Sequence, residues 1–66
     1  MKLSKKLENI ALGKAFYMSA ILDAEKLASL SIDDKACLRR YRNGNQNDTD
    51  HIALQTIANK LAERGK

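Results

Sequence analysis

Residues 22–61 carry three short apolar runs at helical spacing, with an Asn-Gly dipeptide before the last. The last run is the clearest: Leu54, Ile57, Ala58 and Leu61 fall at i, i+3, i+4 and i+7, one edge of a helix. Asn43-Gly44 stops the helix before it, because glycine readily adopts the left-handed backbone that ends helices. The segment Asn45-Gln46-Asn47-Asp48 then reads as a polar loop, and Thr49 or Asp48 caps the last helix. The preceding helix covers about residues 34–41, with Leu38 and Tyr41 facing inward three residues apart. Ser31 or Asp33 can cap it; Ser31 with Asp34 three residues on is close to a capping box.

Upstream, Asp23 reads as the N-cap of a helix lined by Ala24, Leu27, Ala28 and Leu30. A first helix is expected over residues 4–20. It has a wide apolar arc: Leu3, Leu7 and Ile10 on one edge, Leu12, Phe16 and Ala20 on another, and Ala11, Ala15, Met18 and Leu22 on a third. Gly13 weakens such a helix by about 1 kcal/mol relative to Ala, which points to a packing reason. There is no proline, and nothing alternates with period two long enough for a strand. The expectation is an all-α domain, a small bundle of four to five short helices, ending in a frayed tail at Glu63-Arg64-Gly65-Lys66.

Sixty-six residues allow one small domain with a marginal core of its own, so self-association would help it. Cys37 is the only cysteine and His51 the only histidine, so neither a disulfide within the chain nor a tetrahedral zinc site is expected. Twelve Lys and Arg against eight Asp and Glu give a net charge of +4, which favours a polyanionic partner. The opening M-K-L-S-K-K resembles a signal n-region, but Lys14 interrupts the apolar run behind it and Asp23 ends it. A spanning helix needs about 20 apolar residues, so a cytoplasmic protein with no membrane contact is expected. Without a Gly-rich phosphate loop or a nucleophile–base pair, the sequence suggests neither an enzyme nor a cofactor.

Two segments resemble the Cro and phage-repressor type of helix-turn-helix family, often called XRE-like. Leu22-Asp23-Ala24-Glu25-Lys26-Leu27-Ala28 is similar to the L-S-Q-E-E-L-A that enters the family's second helix. Leu38-Arg39-Arg40-Tyr41-Arg42-Asn43-Gly44 is similar to the I-S-R-W-E-N-G that ends its recognition helix. The interval from Leu27 to Gly44 matches the family's, and Leu54, Ile57, Ala58 and Leu61 fit its L-x-x-I-A-x-x-L after one extra loop residue. Leu30-Ser31-Ile32-Asp33 stands where the family has L-G-V-S, without the Gly. Tyr17 and Arg42 stand near the places of an Arg–Glu pair that the family often carries. The resemblance covers about two-thirds of the chain and implies a lambda-repressor-like helix-turn-helix fold.

It also implies a site. The recognition helix of such a motif lies in the major groove with its N-terminal part against the bases. That makes Lys35, Ala36, Arg39 and Arg40 candidate base readers, with the resemblance favouring Lys35, Ala36 and Arg40 over Arg39. Arg40 is suited to grip guanine O6 and N7 with both arms, and Ala36 to touch a thymine methyl. Candidate phosphate contacts are Arg42 and the loop residues Asn43, Gly44, Asn45 and Gln46, with backbone amides at Ala24 on the other flank. Asp33 and Asp34 oppose phosphate unless they serve as caps. Tyr41 is expected in the core, Cys37 as a buried filler and His51 as plain surface.

The function so implied is a sequence-specific DNA-binding regulator, a repressor of phage or bacterial type, acting as a homodimer on a double-stranded DNA operator. The alternative is a small phage-encoded interaction module, an antirepressor or an inhibitor of a host protein, suggested by the two acids. A third form, an antiparallel helical hairpin that binds RNA, needs the first helix unbroken through residues 23–30. The helix-turn-helix register requires a bend between Ala20 and Ala24, and a helix continuous there removes that reading.

Overall fold

The computed structural model describes residues 2–64 and is all-helical, with four helices and no strand among those residues. In chain order these are α1 (Leu3–Ala11), α2 (Met18–Glu25), α3 (Ile32–Asn43) and α4 (Asp50–Arg64). α1 packs chiefly on α4 and α2 chiefly on α3, with α3 and α4 joining the two pairs. Leu7, Ile21, Leu38, Leu54 and Ile57 are fully buried where the pairs meet. Each contributes about 1.5–3 kcal/mol by leaving water. Leu3, Tyr17, Leu27, Ala53 and Leu61 close the edges of this core. No helix of the described residues is long and apolar enough to cross a membrane.

The expected first helix over residues 4–20 is two helices. α1 ends at Ala11, and Gly13 is the reason: its φ of 74° is left-handed. The Gly13 N–H donates to the Ile10 carbonyl at 3.1 Å and the Lys14 N–H to the Asn9 carbonyl at 2.9 Å. This is the double bond pattern of a Schellman stop. Gly13 thus terminates a helix, and no close packing surrounds it. The wide apolar arc was the sum of two separate stripes. α1 buries Leu7, Ile10 and Ala11, whereas α2 buries Ala20, Ile21 and Ala24.

The expected cap at Asp23 is overturned for the same reason. Asp23 lies exposed inside α2, because the buried stripe of Ala20, Ile21 and Ala24 runs straight past it. Leu27, Ala28 and Leu30 then fall in the connection between α2 and α3, where Leu30 is buried, Leu27 half-buried and Ala28 exposed. The bend required between Ala20 and Ala24 is therefore absent, and the second helix does not occupy the register of the repressor family. Two consecutive helices do exist, but six residues, 26–31, connect them. The DNA-binding motif uses a turn of about three or four. The unbroken helix of an RNA-binding hairpin is absent too, since the chain leaves helix after Glu25.

The second half of the chain follows its expected signals. Ser31 and Asp34 form a complete capping box: the Asp34 N–H donates to Ser31 Oγ at 3.1 Å, and the Ser31 N–H to Asp34 Oδ2 at 3.4 Å. α3 consequently starts at Ile32, earlier than expected. Gly44, at φ 76°, ends it with a second Schellman pair, Gly44 N–H to Tyr41 O and Asn45 N–H to Arg40 O. α4 buries Leu54, Ile57 and Ala58. It continues through Glu63 to Arg64, past the expected start of the frayed tail, and Gly65 and Lys66 lie outside the described residues.

Candidate functional site

α3 buries Cys37, Leu38 and Tyr41. At 100° per residue the opposite midline runs through Ile32, Ala36, Arg39 and Asn43. Ile32, Arg39 and Asn43 are exposed and Ala36 half-buried, which agrees with that geometry. Lys35 and Arg42 flank the midline on one side, Asp33 and Arg40 on the other. Of the candidate base readers, then, the fold puts Ala36 and Arg39 at the centre of the outward face and Lys35 at its edge.

Arg40 is engaged elsewhere. Its Nε donates to Asp50 Oδ2 at 2.7 Å and its Nη2 to Asp50 Oδ1 at 2.8 Å. Asp50, at the start of α4, is 3% exposed and also accepts from the Asn47 N–H at 2.8 Å. The Arg40 hydrogen bonds, helped by that from Asn47, hold the Asp50 carboxyl below the usual aspartate range against the opposing effect of burial. The same bonds raise the Arg40 guanidinium. The edge suited to a two-pronged guanine contact is thereby spent inside the protein. Arg40 instead fixes α3 to the start of α4.

The carboxylates divide. Asp34 serves the capping box and pairs with Lys60 of α4 at 3.2 Å, so it is turned away from the outward face. Asp33 remains exposed on the flank. Glu25, at the end of α2, lies 3.6 Å from Arg42 Nε and ties the ends of α2 and α3 together. Lys35 and Arg39 make no ion pair among the described residues.

The phosphate-contact candidates separate as well. Ala24 is fully buried in the last turn of α2, where a helix presents carbonyls, so it offers no amide to a phosphate. The backbone amides of Gly44 and Asn45 close the α3 stop, and that of Asn47 bonds Asp50. What this loop still offers is side chains: Asn43, Asn45, Gln46 and Asn47 are all exposed. Tyr41 is buried, His51 is exposed, and Cys37 is buried with its Sγ donating to the Asp50 carbonyl at 3.5 Å. Burial pushes the Cys37 thiol up to about 11.

Ile32 was absent from the sequence-derived site. It is 86% exposed, the most open large apolar side chain described. Two signals pointed to it: the capping box places it first in α3, and it lies four and seven residues before Ala36 and Arg39. Placing the helix start at residue 34 hid both.

What fold and site define together is a small all-α domain with one outward helix face of mixed cationic and apolar character. Compared with family models, with curated proteins and with solved structures, the chain gives no match in any of the three.

Proposed function

We propose that the chain is a sequence-specific binder of double-stranded DNA that lays the outward face of α3 in the major groove. The observation that carries this is the charge disposition on that face. Lys35 and Arg39 have no ion-pair partner among the described residues, and of the nearby carboxylates Asp34 and Asp50 are each held by a cation of the fold, with Asp33 exposed on the flank. The side chains of Asn43, Asn45, Gln46 and Asn47 suit phosphates beside the groove. This reading rests on α3 alone, since α2 runs unbroken through the place where the repressor-family register requires a bend. The sequence resemblance between Leu38 and Leu61 motivates the finer reading, a regulator of phage or bacterial type that represses by occupying a promoter as a homodimer. A band-shift against a randomised duplex pool at moderate salt tests it, and absence of any selected sequence overturns it.

A protein-interaction role is the second reading. Leu12, Phe16, Met18 and Leu22 are all exposed large apolar residues within one eleven-residue stretch, residues 12–22. A specific protein captured through that stretch, with no salt-dependent affinity for DNA, favours it.

A further inference from the structure

From the midline of α3 we infer that Ile32 is a specificity-determining residue that reads the 5-methyl group of a thymine. The inference rests on the DNA-binding reading above. Ile32 sits in the first turn of α3, 86% exposed, and the Ser31–Asp34 capping box fixes the backbone that presents it. An isoleucine so open gains nothing from the protein's own core. Ala36, one turn on, is small enough for the helix to approach base edges closely, and Arg39 follows on the same line.

This order, apolar then small then cationic, matches major-groove chemistry. Thymine offers a methyl group there, and guanine offers two acceptors that suit arginine. Seven residues separate Ile32 from Arg39, about 10 Å at 1.5 Å per residue. At about 3.4 Å per base step the thymine and the arginine-read base are then about three steps apart. Lys35 on one flank supplies attraction toward phosphate, Arg42 beside it is paired with Glu25, and Asp33 stands off the midline on the other flank. Arg40, held by Asp50, does not compete for the same bases.

The test starts from duplexes selected by the wild-type protein. Each thymine is replaced in turn by deoxyuridine, which lacks only the methyl. One replacement per site lowers wild-type affinity roughly fourfold, the worth of one buried methyl-sized group. Ile32→Ala binds the thymine and uridine duplexes equally, and its exposure makes loss of folding a minor concern. The inference is overturned if the wild type selects a sequence yet tolerates uridine at every thymine, or if Ile32→Ala keeps the discrimination. Failure to select any duplex overturns the DNA-binding reading itself, and this inference with it.

Discussion

The Arg40 guanidinium holds the buried Asp50 carboxylate through two hydrogen bonds of 2.7 and 2.8 Å, joining α3 to the start of α4. The Asn47 N–H completes the shell of Asp50, so the polar loop after Gly44 is fixed by the same carboxylate. One ion pair thus sets both the outward face of α3 and the loop beside it.

Loss of this pair is expected to change stability before it changes base choice. Asp50→Ala should cost roughly 1–3 kcal/mol, since it removes charged hydrogen bonds and strands the Asn47 amide. Arg40→Ala should destabilise more at neutral pH, because it leaves a buried carboxylate unpaired. Its DNA affinity should fall alike for all sequences, with the preference intact. Thermal melts beside band-shifts on selected and scrambled duplexes read both; a relaxed preference with unchanged stability would show Arg40 to be a reader.

The pair also sets the acid limit of the fold. The folded Asp50 carboxyl lies below its ordinary value, which is about 3.9 in an unfolded chain. Its stabilisation is therefore complete above about pH 4 and drains away as the pH falls through the folded value. Melts of wild type and Asp50→Asn against pH should converge as the pH drops below 4.

Gly13 and Gly44 form a second matched pair, each ending a helix at positive φ. Nothing lies within 4 Å of a Cβ at either position, so the cost of Ala there is conformational alone. Each Gly→Ala change should cost about 1–2 kcal/mol. In a domain of this size each kilocalorie lowers Tm by about 4–8 °C. Gly13→Ala tests the break between α1 and α2 directly: an unchanged Tm would mean that the chain runs on as one helix.

These two glycines show how far the sequence was legible. Gly44 was readable because Leu38 and Tyr41 define one stripe before it and a polar loop follows. Gly13 was not, because apolar residues continue on both sides and their sum mimics one broad helix. The shift of α2 follows from that, and with it the fate of Asp23 and Ala24. On the site, residue types and the helix itself were legible. Partnership was not: Arg40 and Asp50 are ten residues apart, and no local pattern announces that a loop will fold back to join them. The charge of Arg40 was read correctly, but its destination was set by tertiary packing.

Cys37 is expected to be inert in the folded protein. It is buried beside the Asp50 carbonyl, and its thiol is pushed up to about 11. A thiol reagent at pH 8 should label it only at the rate of unfolding, and rapidly in denaturant. The unfolded thiol ionises near the ordinary 9, so stability should be unaffected below that and fall as the pH rises from 9 toward 11. Fast labelling of the native protein would place Cys37 at the surface.

Lys35 and Arg39 should separate affinity from specificity. Arg39 lies on the midline of α3 and reaches outward, so Arg39→Ala should relax preference at one base position by about 1–3 kcal/mol of discrimination. Lys35 lies on the flank shared with Arg42. Lys35→Ala should weaken all duplexes alike and reduce the slope of log affinity against log salt by about one. Neither residue has an ion-pair partner to lose among the described residues, so neither change should move Tm by more than a few degrees. Binding isotherms at several salt concentrations, on a selected site and its single-base variants, distinguish the two. If both variants only shift the salt slope, α3 holds DNA by its backbone, and specificity belongs to another surface. If neither changes binding, the DNA contact is not on this face of α3.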